Sequence, residues 1–298
     1  MKNMMRFYGR FIKPALSFIN PHICRVFNPY TYMWSVINRW YIKKYNLKPL
    51  TLKEIIKNTK KSDTIFIFGS GYSINEISKE EWNMFRKHNT LSFNWFHNKC
   101  YIPIDYYIVR EIHRSVHGKY DIENVSKDQN FVKYLENLNK NCYKDSILFI
   151  NLNMDTTYLI IKSGFLRNRK YIFYANNIIN KFGFKKDLSK IYHGGIYSGG
   201  ATLLDAIHIS YIMGFKKIVL VGVDLYDSRY FWLNRDENRD GLEDIGKSYK
   251  DVHRTYPYII KHLDDIVDTL KKEGTELYVY NSKSLLAKKL PIYKLNED

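Results

Sequence analysis

From residue 64 onward, apolar runs of strand length alternate with amphipathic stretches. The runs are TIFIF, TLSFNWF, DYYIV, SILFI, KIVLVGV and ELYVY. Strands interleaved with helices, rather than grouped, predict an α/β fold with a mostly parallel, Rossmann-like sheet. TLKEIIKN opens an ordinary amphipathic helix after Asn46 to Thr51, a stretch that reads as a linker. SGGATLLDAIHISYIMGF starts on small residues, keeps apolar positions at helical spacing and stops at Gly-Phe, immediately before the most apolar run of the chain. YPYIIKHLDDIVDTLKKEG is a second amphipathic helix, closed by Gly274. The polar stretches Arg114 to Asn141 and Arg235 to Tyr249 read as insertions or lids. This pattern divides the chain into an arm, residues 1–53, and a main domain, residues 54–298, with a lid around 227–252.

Charge sharpens the division. Residues 1–53 carry ten Lys/Arg and no Asp or Glu, so of a net charge of +17 only +7 belongs to the other 245 residues. Aromatic residues such as Phe7, Tyr8, Phe11, Trp34, Trp40 and Tyr45 are interleaved with those charges. The mixture suits the headgroup layer of an anionic membrane, although the same aromatics could instead cap the core. Nucleic acid would attract the charge as well, but no nucleic-acid partner is expected. Pro14, Pro21 and Pro29 argue against one long helix across the arm. No apolar run reaches the length of a membrane span and no signal-peptide pattern is present, so the expected place is cytoplasmic and peripheral, at the inner face of the cell membrane. Cys24, Cys100 and Cys142 are scattered, which predicts neither a disulfide framework nor a zinc site and favours a reducing compartment.

In parallel α/β sheets ligands gather at the carboxyl ends of strands, so the residues that follow each apolar run bear on function. After TIFIF comes Gly69-Ser70-Gly71-Tyr72-Ser73, a turn that either brings backbone close to a phosphate or only reverses the chain. It matches neither GxGxxG nor a Walker lysine motif. Asn94 interrupts LSFNWF, and its amide can both donate to and accept from a base or ribose. YSGG, Tyr197 to Gly200, opens a helix with Ser198 as an expected N-cap, and the same N-terminus could take a phosphate. Asp224 ends KIVLVGVD, where a buried carboxylate needs a partner or a ligand hydroxyl. No carboxylate pattern at the strand ends suits a metal ion, so no metal and no cofactor are expected. A general base is needed in any transfer reaction, and His253 is the candidate, with His193 and His262 as alternatives. No GxSxG elbow is present for serine hydrolysis.

In IFGSGYSI, FNWF, YSGGATLLDAIHISYIMGFKKIVLVGVDLY and ELYVYNSKSLLAKKLP, the chain resembles the bacterial, Campylobacter-type sialyltransferases and the wider group of motility-accessory-factor-like glycosyltransferases. The likeness spans roughly residues 62 to 295. It implies a modified nucleotide-binding fold with a small lid and an inverting, metal-independent transfer from a CMP-activated sugar to a glycan or glycolipid acceptor, of the kind used in lipopolysaccharide or capsule biosynthesis. It places Ser70, Gly71, Ser73, Asn94, Ser198, Gly199, Gly222 and Asp224 around the nucleotide. Tyr226 and Tyr230 would donate to the leaving phosphate, and a histidine beyond the lid would deprotonate the acceptor. Gly195 stands where the sialyltransferases carry an arginine, and Arg110 stands where they carry an asparagine. Arg110 could supply the charge from the other side. The family's histidine position falls near Pro257, four residues from His253.

Two other readings compete with the glycosyltransferase. One is an ATP-dependent pyrophosphokinase of the pterin diphosphokinase-like branch, which would need magnesium ligands. The other is a non-catalytic nucleotide- or anion-binding protein. A homo-oligomer is compatible with all three.

Overall fold

The computed structural model describes residues 29–110, 129–177, 184, 186–226, 230–232 and 256–295. Its centre is a seven-stranded, wholly parallel sheet in the order β5-β4-β3-β2-β1-β6-β7. The strands are β1 (Thr64–Phe68), β2 (Asn89–Phe93), β3 (Tyr106–Val109), β4 (Ile147–Asn151), β5 (Tyr171–Tyr174), β6 (Lys217–Val221) and β7 (Glu276–Val279). TIFIF and its neighbours lack polar alternation because both faces of the sheet are covered. Ile65, Ile67, Leu91 and Phe149 pack against helices α2 (Leu52–Thr59), α6 (Thr202–Ile212) and α7 (Tyr256–Lys272). Phe66, Phe68, Tyr107 and Ile150 face the opposite layer, formed by α1 (Pro29–Lys44), α3 (Lys79–Phe85), α4 (Gln129–Leu138) and α5 (Asp155–Lys162). Each fully buried side chain of this size contributes about 1.5–3 kcal/mol, and this two-sided burial holds the sheet together.

Local signals explain most helix boundaries. α2 starts on a capping box: Thr51 Oγ1 accepts from the Glu54 N–H, and Glu54 accepts from the Thr51 N–H at 2.7 Å. Ser78 and Glu81 repeat the device at α3. α6 and α7 are followed by Gly214 and Gly274, both at positive φ. α1 opens at Pro29, a residue suited to the first helical turn because it has no N–H to leave unpaired.

Three expectations are corrected. β5 is a seventh strand that the hydrophobic pattern did not single out, since YIFY sits directly behind Arg169 and Lys170. The described part of the expected insertion Arg114 to Asn141 is helix α4, which buries Phe131, Tyr134 and Leu138 beside the sheet and is thus part of the core layer. Cys100 and Cys142 form a disulfide with Cα atoms 5.7 Å apart, because the β2–β3 connection meets the turn before β4. Spacing along the chain could not show this, and the cysteines no longer argue for a reducing compartment.

The strand order sets where a ligand can go. From β1 the chain builds outward to β5, then crosses back to place β6 on the other side of β1. The order reverses between β1 and β6, and the crevice outside their carboxyl ends is the topological switch point of the sheet.

Candidate functional site

At that switch point the turn after β1 meets the turn after β6. Gly69 N–H donates to Val221 O at 2.7 Å and Gly71 N–H to Gly222 O at 2.8 Å, so the ladder continues past the strands. A Cβ on Gly69 would lie 2.5 Å from Gly222 O, and one on Gly71 would lie 2.4 Å from Asp224 Oδ2. The glycines are therefore required by the close approach of the two turns. Asp224, 2% exposed, accepts from Ser73 N–H at 2.9 Å, Ser73 Oγ at 2.5 Å and Asn281 Nδ2 at 3.1 Å. Bonds from its own chain offset the cost of burying that carboxylate. Asp224 and Ser73 together brace the β1 turn against β6.

Ser70 is the hydroxyl in the turn that this brace leaves over, for its buried Oγ has no hydrogen-bond partner among the described residues. Its carbonyl accepts from Phe231 N–H at 3.3 Å, and Gly71 forms a bridge with Tyr230. Tyr230 stacks on Trp232 with ring centroids 4.1 Å apart, and Trp232 in turn lies 5.6 Å from Trp95. Residues 230–232 thus lie across the glycine turn. Tyr226 is half-buried beside Asp224, and Asn281 Nδ2 donates to its hydroxyl oxygen at 3.4 Å. The backbone is strained on this rim: Asn94 (φ 53°) at the end of β2 and Leu225 (φ 62°) after β6 both occupy the left-handed region. Tyr107 Oη holds the Asn94 carbonyl at 2.5 Å.

A second polar group lies at the carboxyl ends of β3, β4 and β5. Arg110 Nη1 is 3.8 Å from Asp205 Oδ1, and Tyr174 Oη donates to Asp205 Oδ2 at 2.7 Å. Burial pushes the Asp205 carboxyl above the ordinary aspartate range, while Arg110, Tyr174, Ser198 and Asn176 pull it back down. Burial and the neighbouring Asp205 charge raise Tyr174 well above the usual phenol value. Asn151 Nδ2 donates to Asn176 Oδ1, and Asn153 Oδ1 accepts from Asn176 N–H. Ser198 faces this carboxylate and is not the N-cap of α6, which is a correction. The cap is Ala201, because Gly199 and Gly200, at positive φ, add a turn between Ser198 and the helix. Asp205 within TLLDAIHIS was not singled out by the sequence reading, nor were Asn151, Asn176 and Asn281. A lone carboxylate in an apolar helix, and strand runs SILFIN and YIFYAN that end on Asn as LSFN does, were the available signals.

The structure brings Ser70, Gly71, Ser73, Gly222, Asp224, Tyr226 and Tyr230 together, and it gathers Arg110 and Ser198 around Asp205. His253 lies outside the described residues, as does most of the lid 227–252. His193 is exposed, with its ring against Tyr192. His262, on α7, meets Tyr197 edge-on at 5.7 Å, and burial, assisted by Lys261, lowers its pKa.

No model of a known protein family matches the chain, and no curated protein matches it. Among solved structures, the MAf glycosyltransferase from Magnetospirillum magneticum AMB-1 aligns at 11% identity with a TM-score of 0.46, covering 85% of this chain and 40% of that one. The present chain therefore spans well under half of that protein's length, and neither a shared fold nor a shared activity follows from a likeness of this size.

Proposed function

We propose that the protein is an inverting glycosyltransferase that takes a sugar from a CMP-activated donor, without a metal ion, and passes it to a hydroxyl of a cell-surface glycan or glycolipid. The observation that carries the reading is the switch-point crevice, where the turns Gly69–Ser73 and Gly222–Asp224 are locked side by side with Tyr226 and Tyr230 on their rim. The motif resemblance supplies the donor class. In the reaction the acceptor oxygen forms its bond to the anomeric carbon as the bond from that carbon to the phosphate oxygen breaks. The acceptor proton goes to a base, assigned here to His253, and the nucleoside monophosphate leaves with the bonding electrons.

Charge then grows on the departing phosphate, and the protein's task is to hold donors where it appears. Asn281 donates to the Tyr226 oxygen, which orients the phenol so that its own O–H can point at the leaving group. Ser70 offers a further hydroxyl, and Arg110 a positive charge farther along the strand ends. The test is Tyr226→Phe assayed with a CMP-sugar. It should lower kcat by roughly ten- to a thousandfold and leave nucleotide affinity nearly unchanged. Undiminished turnover in the variant contradicts the role.

A further inference from the structure

Helix α1 has two opposed rows of side chains. Trp34, Asn38 and Ile42 face inward and are 0%, 0% and 9% exposed, whereas Tyr32, Val36 and Trp40, on the opposite side, are 52%, 51% and 55% exposed. Residues four apart share a helix face, so the outer three form one continuous apolar stripe. Lys43 and Lys44 close its end, with Lys44 Nζ 4.9 Å above the Trp40 ring, and Tyr45 follows at 45% exposure. Large aromatic and aliphatic side chains in a row facing water call for an occupant.

We propose that this face of α1 docks on an anionic lipid bilayer. The charge at its end selects that occupant, because Lys43 and Lys44 close the stripe and α1 itself carries no acidic residue. Tyr and Trp flanked by lysines suit the boundary between headgroups and acyl chains, where the rings bury their apolar bodies and the ammonium groups meet lipid phosphate. A second copy of the chain on the same face is the competing occupant, and the experiment below separates the two.

The docking face is also fastened to the folded body. Asn38 Nδ2 donates to Leu152 O and Met154 O, both at 2.8 Å, and Asn153 Nδ2 donates to Thr31 O. Arg39 reaches the Tyr192 carbonyl. These partners follow β4 and β5, so the first half of α1 is fastened at the carboxyl end of the sheet, whereas the chain that follows it reaches the amino end of β5, where Leu50 N–H donates to Tyr171 O at 2.8 Å. Bilayer contact along α1 therefore holds the folded body close to the headgroups. On the glycosyltransferase reading, and only on it, the acceptor is then one carried by a lipid.

The experiment is co-sedimentation of the full chain with vesicles of phosphatidylcholine alone and of phosphatidylcholine mixed with phosphatidylglycerol. Binding to the mixed vesicles, weakened by salt, is expected. Val36→Glu/Trp40→Glu should weaken it by at least about tenfold and Lys43→Glu/Lys44→Glu by roughly thirtyfold. Lys79→Glu/Lys87→Glu, the same charge change at exposed positions elsewhere, should leave it nearly intact. Equal loss in that control would reduce the effect to bulk charge and overturn the proposal. Unaltered vesicle binding by both α1 variants overturns it too, as does a drop in oligomer size in Val36→Glu/Trp40→Glu with vesicle binding retained, the mark of a face between copies. Nucleotide binding measured on the same samples is independent of these outcomes, so failure of the glycosyltransferase reading leaves them interpretable.

Discussion

Gly71 shows how much a single residue decides. Its φ is −71°, so nothing about its own backbone requires glycine. What does is the Asp224 carboxylate, which sits where a Cβ would go. Gly71→Ala should push Asp224 off Ser73 and destabilise the fold by about 1–3 kcal/mol, read from urea unfolding. Unchanged stability with lost nucleotide binding would instead mark Gly71 as a ligand contact alone. Asp205 gives a pH test. Its folded pKa is raised by burial, so the folded state keeps a proton that the unfolded chain has already released. The stability due to this group is complete below the unfolded value and is lost as pH rises through the folded one. Asp205→Asn cannot titrate, and leaves Arg110 without its charged partner at every pH. The stability difference should therefore shift in favour of the variant as pH rises from about 4. A pH-independent difference contradicts the raised pKa. The glycine turn, Asn94 and Asp224 were visible in the sequence because each interrupts an apolar run. Their roles were not, since Asp224 is satisfied by Ser73 and Asn281, the one 151 and the other 57 positions away.

Helix and strand positions were legible to the extent that their signals are local. Helical spacing, terminal glycines and unbroken apolar runs act within a few residues, and α2, α6, α7 and six strands lie where the pattern placed them. β5 follows directly on Arg169 and Lys170, and α4 lies within a long polar stretch, so neither stood out from its surroundings. In α1 the aromatic and basic residues looked uniform along the chain, and only packing separates the buried Trp34 row from the exposed Trp40 row. Trp34 lies against Tyr158 of α5, with ring centroids 6.0 Å apart, and is fully buried. Trp34→Ala should therefore cost about 3–5 kcal/mol in thermal or urea unfolding. A loss below about 1 kcal/mol would mean that α1 contributes little to the folded body.

At the scale of the molecule, alternation of strands and helices was enough to expect a parallel sheet, but not its order. Strand order depends on which edge β6 joins, and no residue of KIVLVGVD states that it pairs with TIFIF. That pairing creates the switch point and sets the two glycine-bearing turns together, so the site depends on a contact between segments about 150 residues apart in the chain. The disulfide between Cys100 and Cys142 is the same kind of feature, invisible in spacing and evident once the sheet is assembled.

The central claim is a metal-independent site for a cytidine nucleotide at the β1/β6 crevice. Thermal unfolding with CMP, UDP, GDP and ATP, each with magnesium and with EDTA, tests it most directly, because a ligand that binds only the folded state raises the midpoint. CMP at a hundredfold excess over its Kd should raise the midpoint by roughly 5 °C, equally in EDTA, with smaller shifts from the other nucleotides. A shift with ATP alone, and only in magnesium, would contradict the account.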